Sequence, residues 1–182
     1  MRRTDLSKFD NSWYKPGSLA RRSLWYFISM IFFKNSFPFP QVFKRTLLKI
    51  FGAKLGENII LKPSVNIKYP WFFSAGDNVW IGEKVWIDNL AKVSIGDNVV
   101  LSQGAFLLTG NHDYKKETFD LMLGEIKIEE GVWVGANSLV TQNVKLGSHS
   151  VIGAGSVVTK DTKPYSIYHG NPAAFLKKRV IS

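Results

Sequence analysis

Through most of this chain an aliphatic residue returns at every sixth position. From Ile128 the series runs Ile128, Val134, Val140, Leu146, Ile152, Val158. Upstream it runs Leu55, Leu61, Ile67, then Ala75, Ile81, Ile87, then Ile95, Leu101, Leu107. Fourteen of these 15 positions are Leu, Ile or Val, and at seven of them the next residue is Gly (56, 76, 82, 96, 135, 147, 153). Four residues after the aliphatic one, small or β-branched residues dominate, such as Val79, Val85, Ala105, Ser138, Ser150 and Ser156. A period of six fits neither the 3.6-residue helix nor the two-residue strand. It fits a solenoid in which each hexad supplies one short strand and one turn, the aliphatic side chain pointing inward onto its equivalents in neighbouring coils. Gly after the aliphatic residue is expected to serve the turn, where a positive φ costs it little. Three hexads make one triangular coil, so the pattern predicts an all-β solenoid, a parallel β-helix of about five coils over residues 55–170.

Three steps break the period. Ile67 to Ala75 and Ile87 to Ile95 are steps of eight, and Leu107 to Ile128 is a step of 21. Each follows the third hexad of a coil, so all three fall on one corner of the prism. The longest is a loop over residues 109–126 that begins Thr109-Gly110-Asn111-His112-Asp113-Tyr114. A long loop in a compact repeat is usually functional.

Composition narrows the chemistry. The 182 residues are 45% apolar and 21% charged, an ordinary globular balance. There is no cysteine, which excludes a disulfide framework, a Cys-based zinc site and a thiol nucleophile. The net charge of +10 is unevenly placed: residues 1–54 hold 11 Lys and Arg against 2 Asp, and residues 55–182 hold 13 against 12 acidic residues. The basic character therefore belongs to an N-terminal extension, residues 1–54, that shows no hexads. Ser18 to Phe33 and Gln41 to Phe51 read as helices separated by Pro38 and Pro40. This extension is expected to cap the open end of the solenoid. The alternative is a basic amphipathic surface touching an anionic membrane, with Trp25, Tyr26 and Phe27 beside Arg21 and Arg22. The apolar run Leu24 to Phe33 is 10 residues, half of the roughly 20 that a membrane-spanning helix needs. No export signal is read, which predicts a cytoplasmic protein, peripheral to the inner membrane face if the second reading holds. No nucleic-acid module is present, so a nucleic-acid partner is not expected.

The hexads, the loop TGNHDYKKETF and the closing GAGSVVTKD with HGNPAAFLKKR resemble the hexapeptide-repeat acyltransferases. The flanking FGAKLG, IKYPW and the run GDNVWIGEKVWIDNLAKVSIGDNVVLSQGAFLLTGNHDY are most similar to the colanic-acid-type O-acetyltransferases of exopolysaccharide synthesis. The resemblance implies a left-handed coil, a homotrimer and acetyl-CoA bound between neighbouring subunits. It implies acetyl transfer to a hydroxyl of a sugar or glycan, directly in a ternary complex. The alternatives are another small acceptor, such as an amino sugar, amino acid or xenobiotic, and a non-catalytic scaffold.

Acetyl transfer to a hydroxyl needs a base, and neutral imidazole suits the role near pH 7. The loop histidine of the family matches His112. His149, in mid-hexad, is expected to face solvent, and His169 to be structural or to sit at the rim. Related left-handed β-helices include zinc carbonic anhydrases that use three histidines. Here the histidines are 37 and 20 residues apart and poorly matched to a three-ligand site, so no metal is expected. For the acceptor, the resemblance points to Asp88 and Asn89, on the coil beneath the loop, and turn formation explains them equally well. Asn111 and Asp113 could orient the imidazole, and Tyr114 and Phe119 could wall the acceptor, against the alternative of turn and loop packing. For the cofactor, the family places coenzyme A along the coils after the loop. Gly135, Ala136, Gly153 and Ala154 would then meet its pantetheine arm. Thr159, Lys160, Lys177 and Lys178, with Arg179, would meet its phosphates. Pro172 would pack on the adenine or set the chain reversal in the tail, residues 171–182. The outward Trp80, Trp86 and Trp133 are expected to be buried against a neighbouring subunit.

Overall fold

A computed structural model describes residues 3–182. A 3-10 turn at Leu6–Lys8 and two helices, α1 (Leu19–Phe32) and α2 (Gln41–Ile50), precede the repeats. The hexads then form strands of two or three residues: β1 (Lys54–Leu55), β2 (Ile60–Leu61), β3 (Asn66–Ile67), β4 (Phe73–Ala75), β5 (Trp80–Ile81), β6 (Trp86–Asp88), β7 (Val93–Ile95), β8 (Val100–Leu101) and β9 (Phe106–Leu108). The long loop holds β10 (Gly110–His112) and β11 (Leu121–Leu123). Beyond it come β12 (Ile126–Ile128), β13 (Trp133–Val134), β14 (Leu139–Val140), β15 (Lys145–Leu146), β16 (Val151–Ile152) and β17 (Val157–Val158). A closing pair, β18 (Ser166–Gly170) and β19 (Ala173–Lys178), ends the chain.

Every third strand stacks in parallel on its predecessor. The first face is β1-β4-β7-β12-β15, the second β2-β5-β8-β13-β16 and the third β3-β6-β9-β14-β17. The chain is a left-handed parallel β-helix of five complete turns. β18 pairs in parallel with β16 and starts a sixth turn, one strand more than the hexads count, and β19 folds back antiparallel on it. The interior is filled by the predicted columns. Leu61, Ile81, Leu101, Val134 and Ile152 stack along the second face, and Ile67, Ile87, Leu107, Val140 and Val158 along the third, all buried. The residues four further on are inside as well, except at the irregular corner, where Trp71 and Ala91 are half-buried and Asn111 is exposed. The serines among them are satisfied: Ser138 and Ser156 donate to the Gly153 carbonyl, and Ser150 bonds Thr162.

The glycines after the aliphatic positions have a different task from the one expected. The left-handed backbone falls two residues later, mostly at Asn58, Asn78, Asn98, Asn137 and Asn143 and at Gly104, Gly131 and Gly155, with Ser64, Lys84 and His149 as the exceptions in type. Asn and Gly are the residue types that tolerate that region. The glycine directly after the inward residue is required because the next coil passes too close. A Cβ at Gly82 would lie 2.7 Å from the Gln103 nitrogen, and one at Gly135 would lie 2.6 Å from both the Ala154 nitrogen and the Ile152 carbonyl.

All three irregular steps lie between the third and first faces. They are occupied by a 3-10 turn at Pro70–Phe72, by residues 89–92 and by the β10–β11 hairpin. At the other end of the prism, the first coil leaves carbonyls with no coil beneath them, and the helices supply donors. Trp25 Nε1 donates to Ile67, Gln41 Nε2 to Leu61, and Lys44 Nζ to both Leu61 and Lys62. Gln41 Oε1 accepts from the Leu61 N–H, and the Asn35 carbonyl accepts from the Ser64 N–H. Trp25, Phe33, Leu48 and Phe51 extend the apolar core over the coil end. Lys44 is 1% exposed, and burial pushes its ammonium below the ordinary lysine pKa.

Candidate active site

The hairpin that carries His112 is tied down at its base. Thr109 is buried, donates to the Asp88 carbonyl at 2.8 Å and accepts from the Ala91 N–H at 3.0 Å, so the loop leaves the prism directly above the coil below. β10 and β11 then pair antiparallel, with His112 opposite Leu121. At the hairpin tip Phe119 takes φ +51°, an uncommon conformation for a bulky residue. That conformation accompanies two contacts. The Phe119 carbonyl sits 2.9 Å from His112 Nδ1, and the Phe119 ring stacks on the imidazole at 4.4 Å with planes 8° apart. A carbonyl only accepts, so in the neutral ring the proton is on Nδ1 and the lone pair on Nε2.

The segment before α1 closes over the other side of the imidazole. The Asp5 N–H donates to the Glu117 carbonyl, Lys8 pairs with Glu117 at 2.6 Å, and the Phe9 ring lies 5.7 Å from His112. Further along, Tyr14 donates its hydroxyl to the Leu90 carbonyl at 2.7 Å, and Trp71 Nε1 donates to the Pro16 carbonyl at 2.8 Å. Burial pushes the Tyr14 hydroxyl well above the usual phenol pKa, so it stays a donor. Strap, hairpin and the irregular corner enclose a cavity of about 560 Å³, lined by Tyr14, Arg22, Lys68, Tyr69 and His112 among others. A second cavity of about 480 Å³, between α1 and the third face, shares Arg22, Lys68 and Tyr69 and includes Asp88.

The acceptor residues read from sequence have distinct fates. Asp88 is nearly buried at 9% exposure, and its Oδ1 lies 2.9 Å from Lys68 Nζ. The Asn89 amide is fully buried and committed to the backbone of Tyr69, accepting from its N–H at 3.0 Å and donating to its carbonyl at 2.6 Å. Asn111 is exposed and accepts from the His112 N–H, and Asp113 accepts from the Lys115 N–H, both within the turn. Phe119 is against the imidazole, whereas Tyr114 is 75% exposed.

Gly135-Ala136 and Gly153-Ala154 stack on successive coils at the corner between the second and third faces. Ala136 is half-buried and Ala154 exposed, so small groups line this edge. Thr159 and Lys160 follow β17 at the surface, and Pro172 precedes β19, on which Lys177 and Lys178 project, all exposed. A shallow, backbone-rich edge with cations near one end fits a long apolar arm that ends in phosphates. His112 leaves from a different corner of the prism, so one chain does not unite base and edge. His169 is exposed and covers Gly153, and His149 packs beside Tyr165 with Nδ1 against the Glu130 carbonyl. Among the described residues no group of three His, Asp or Glu is placed to hold a metal ion. The repeat pattern did not reveal Phe9, Tyr14, Arg22, Lys68 or Tyr69. The eight-residue step after Ile67 and the IKYPW segment mark the last two, and the others lie outside any repeat.

Residues 125–160 match the bacterial transferase hexapeptide family (six repeats). The chain is 36% identical over 180 residues to a putative colanic acid biosynthesis acetyltransferase of Escherichia coli K12, covering 97% of each protein. It is 32% identical over 155 residues to a galactoside O-acetyltransferase of the same strain, covering 80% of this chain and 73% of that one. A hexapeptide-repeat acetyltransferase of Vibrio cholerae O1 biovar eltor, solved with acetyl coenzyme A, superposes with a TM-score of 0.79 at 25% identity, covering 89% of this chain and 88% of that one. Its hexapeptide repeats, and 36% identity over 97% of the chain to an acetyltransferase of that type, make this chain a member of the hexapeptide-repeat acetyltransferases.

Proposed function

We propose that this acetyl-CoA-dependent acyltransferase acetylates a sugar hydroxyl in exopolysaccharide or related glycan synthesis, with His112 as general base. The observation that carries the reading is the Nδ1 contact to the Phe119 carbonyl, which leaves Nε2 as the acceptor on a histidine that lines an open cavity. His112 Nε2 takes the proton of the acceptor hydroxyl as its oxygen bonds to the thioester carbon. It returns that proton to the departing sulfur as the carbon–sulfur bond breaks, yielding the ester and the free thiol. The chain has no cysteine and shows no serine nucleophile motif to form an acyl-enzyme, which supports direct transfer within a ternary complex. Tyr14 and Lys68 with Asp88 are placed to position the acceptor. Ala136 and Ala154 line the pantetheine path, with Gly135 buried beneath it and Gly153 under His169, and Lys160, Lys177 and Lys178 toward the phosphates.

Base and cofactor edge are brought together by assembly into a homotrimer. Two faces of the prism turn apolar columns outward: Ile60, Trp80, Val100, Trp133 and Val151 on the second, and Trp86, Phe106, Leu139 and Val157 on the third. The first face turns out Lys54, Ser74, Ser94, Lys127 and Lys145. Two apolar faces and one polar face suit a ring in which each copy contacts two neighbours. The outward side of α1 carries Leu24, Phe27, Met30 and Ile31, all exposed. Residues 11–56 hold eight Lys and Arg and no Asp or Glu. Both features support peripheral contact with an anionic membrane. The test of the chemistry is His112→Ala. Thiol release in the presence of sugar acceptors should fall by about 10²–10⁴-fold, with coenzyme A binding and the trimer retained. Unaltered turnover removes His112 as the base.

A further inference from the structure

The cavity beside His112 is charged in one sense only. Its ionisable lining, apart from Tyr14, Tyr69 and His112, is Lys15, Arg22 and Lys68, and no carboxylate lines it. Lys68 is balanced by Asp88 behind it, at 2.9 Å. Arg22 is not balanced. Its side chain makes no hydrogen bond or ion pair among the described residues, and its Nε is buried without a partner. Lys15 is exposed and likewise without an ion pair among them.

The position of Arg22 makes this more notable. It lies in the first turns of α1, where the helix dipole disfavours a cation and where no acidic residue compensates. Its neighbour Arg21 has a structural occupation, donating to the Phe51 carbonyl and stacking over Trp71 at 4.2 Å. Arg22 has none. It lines both cavities, and in the first it shares the lining with Tyr14, Tyr69 and His112. A guanidinium held in an unfavourable position, with a buried donor unused, is an arrangement for a ligand that brings its own anion.

We infer that the acceptor sugar is anionic, bearing a carboxylate or phosphate group that docks on the Arg22 guanidinium with Lys15 beside it while His112 addresses a hydroxyl. The inference rests on the reading of His112 as base for sugar acetylation and adds the class of sugar. A planar, two-oxygen anion satisfies the guanidinium fork, including the Nε that the fold leaves free. The balanced Lys68–Asp88 pair remains available for hydroxyls.

The test uses the full-length enzyme and acetyl-CoA, with three acceptors compared by kcat/KM: a neutral glycoside, the corresponding uronic acid glycoside and the corresponding sugar 1-phosphate. One of the charged acceptors should exceed the neutral one by about tenfold or more, and which of the two does so identifies the anion. Arg22→Gln should collapse that ratio toward unity through KM, and Arg22→Lys should restore part of it. Equal kcat/KM for all three acceptors, or a ratio that survives Arg22→Gln, overturns the inference and leaves the acetylation reading standing. Transfer to none of the three, with coenzyme A still bound, overturns both.

Discussion

At the scale of single residues, function and stability turn on polar groups held in unusual places. Phe119 is strained so that its carbonyl can hold the His112 ring. His112 was legible in the sequence, because it opens the one long interruption of the repeat. Its orienting partner was not, because the candidates for that task, Asn111 and Asp113, are consumed by the turn and the bond comes from a backbone carbonyl seven residues away. Lys44 is the structural counterpart. It is a buried cation whose partners are two carbonyls at the end of the prism, with the Phe33 ring 5.8 Å from its nitrogen. Replacing it by Ala leaves the Lys62 carbonyl without its donor, leaves Leu61 with Gln41 alone and removes a packed stem, at a cost of about 2–4 kcal/mol by denaturant unfolding. The sign of its pH effect follows from its lowered pKa. The unfolded chain binds this proton more readily than the folded one. Stability gains from Lys44 as pH rises from its folded value toward 10.5, and Lys44→Met should flatten that slope in unfolding measured across alkaline pH.

At the scale of the element, the hexad divides its work more finely than its letters suggest. The inward aliphatic residue, the crowded glycine and the left-handed residue two positions later are separate requirements. Gly82→Ala would force a Cβ into the Gln103 backbone, and should destabilise by about 1–3 kcal/mol although it lies far from His112. Gly155 has φ +69° with open space where its side chain would go, and Asn already occupies equivalent positions on other coils. Gly155→Asn should therefore cost under about 1 kcal/mol. Thermal unfolding of the two variants side by side checks the assignment, and equal losses would contradict it. The sequence located the turns, but which glycine needs its missing side chain depends on the coil above, and that neighbour lies 20, 33 or 18 residues away according to the coil.

At the scale of the whole molecule, the extension and the prism are one structure. The first coil is finished by side chains of α1 and α2, and the His112 hairpin is braced by a strap that begins more than 100 residues earlier. Among the described residues no helix is long and apolar enough to cross a membrane. Assembly should decide activity, because His112 and the Gly135–Gly153 edge occupy different corners. Trp80→Glu places a carboxylate within an apolar column that is 56% exposed at that residue in the single chain. It should shift the proposed trimer toward monomer in sedimentation velocity and take acetyl transfer down in the same proportion. Monomers with full activity would show that one copy holds a complete site. Vesicles of anionic lipid should bind the enzyme and release it on Phe27→Glu with Ile31→Glu, a change on the outward side of α1.

The sequence alone determined the coils, the buried columns, the corner that carries the long loop, the two helices and the histidine at the loop's start. These features follow from short-range periodicity, in which each residue's environment repeats with its neighbours in the chain. The tertiary structure decided which nitrogen of His112 is free, why each glycine is needed, and that Asn89 serves the Tyr69 backbone. It also gathered Tyr14, Arg22, Lys68 and His112 around one cavity. Those properties depend on distances between segments that share no period. Hydrophobic patterning specifies which side of a strand is buried, whereas the meeting of an extension, a corner and a hairpin is fixed only when the whole prism is wound.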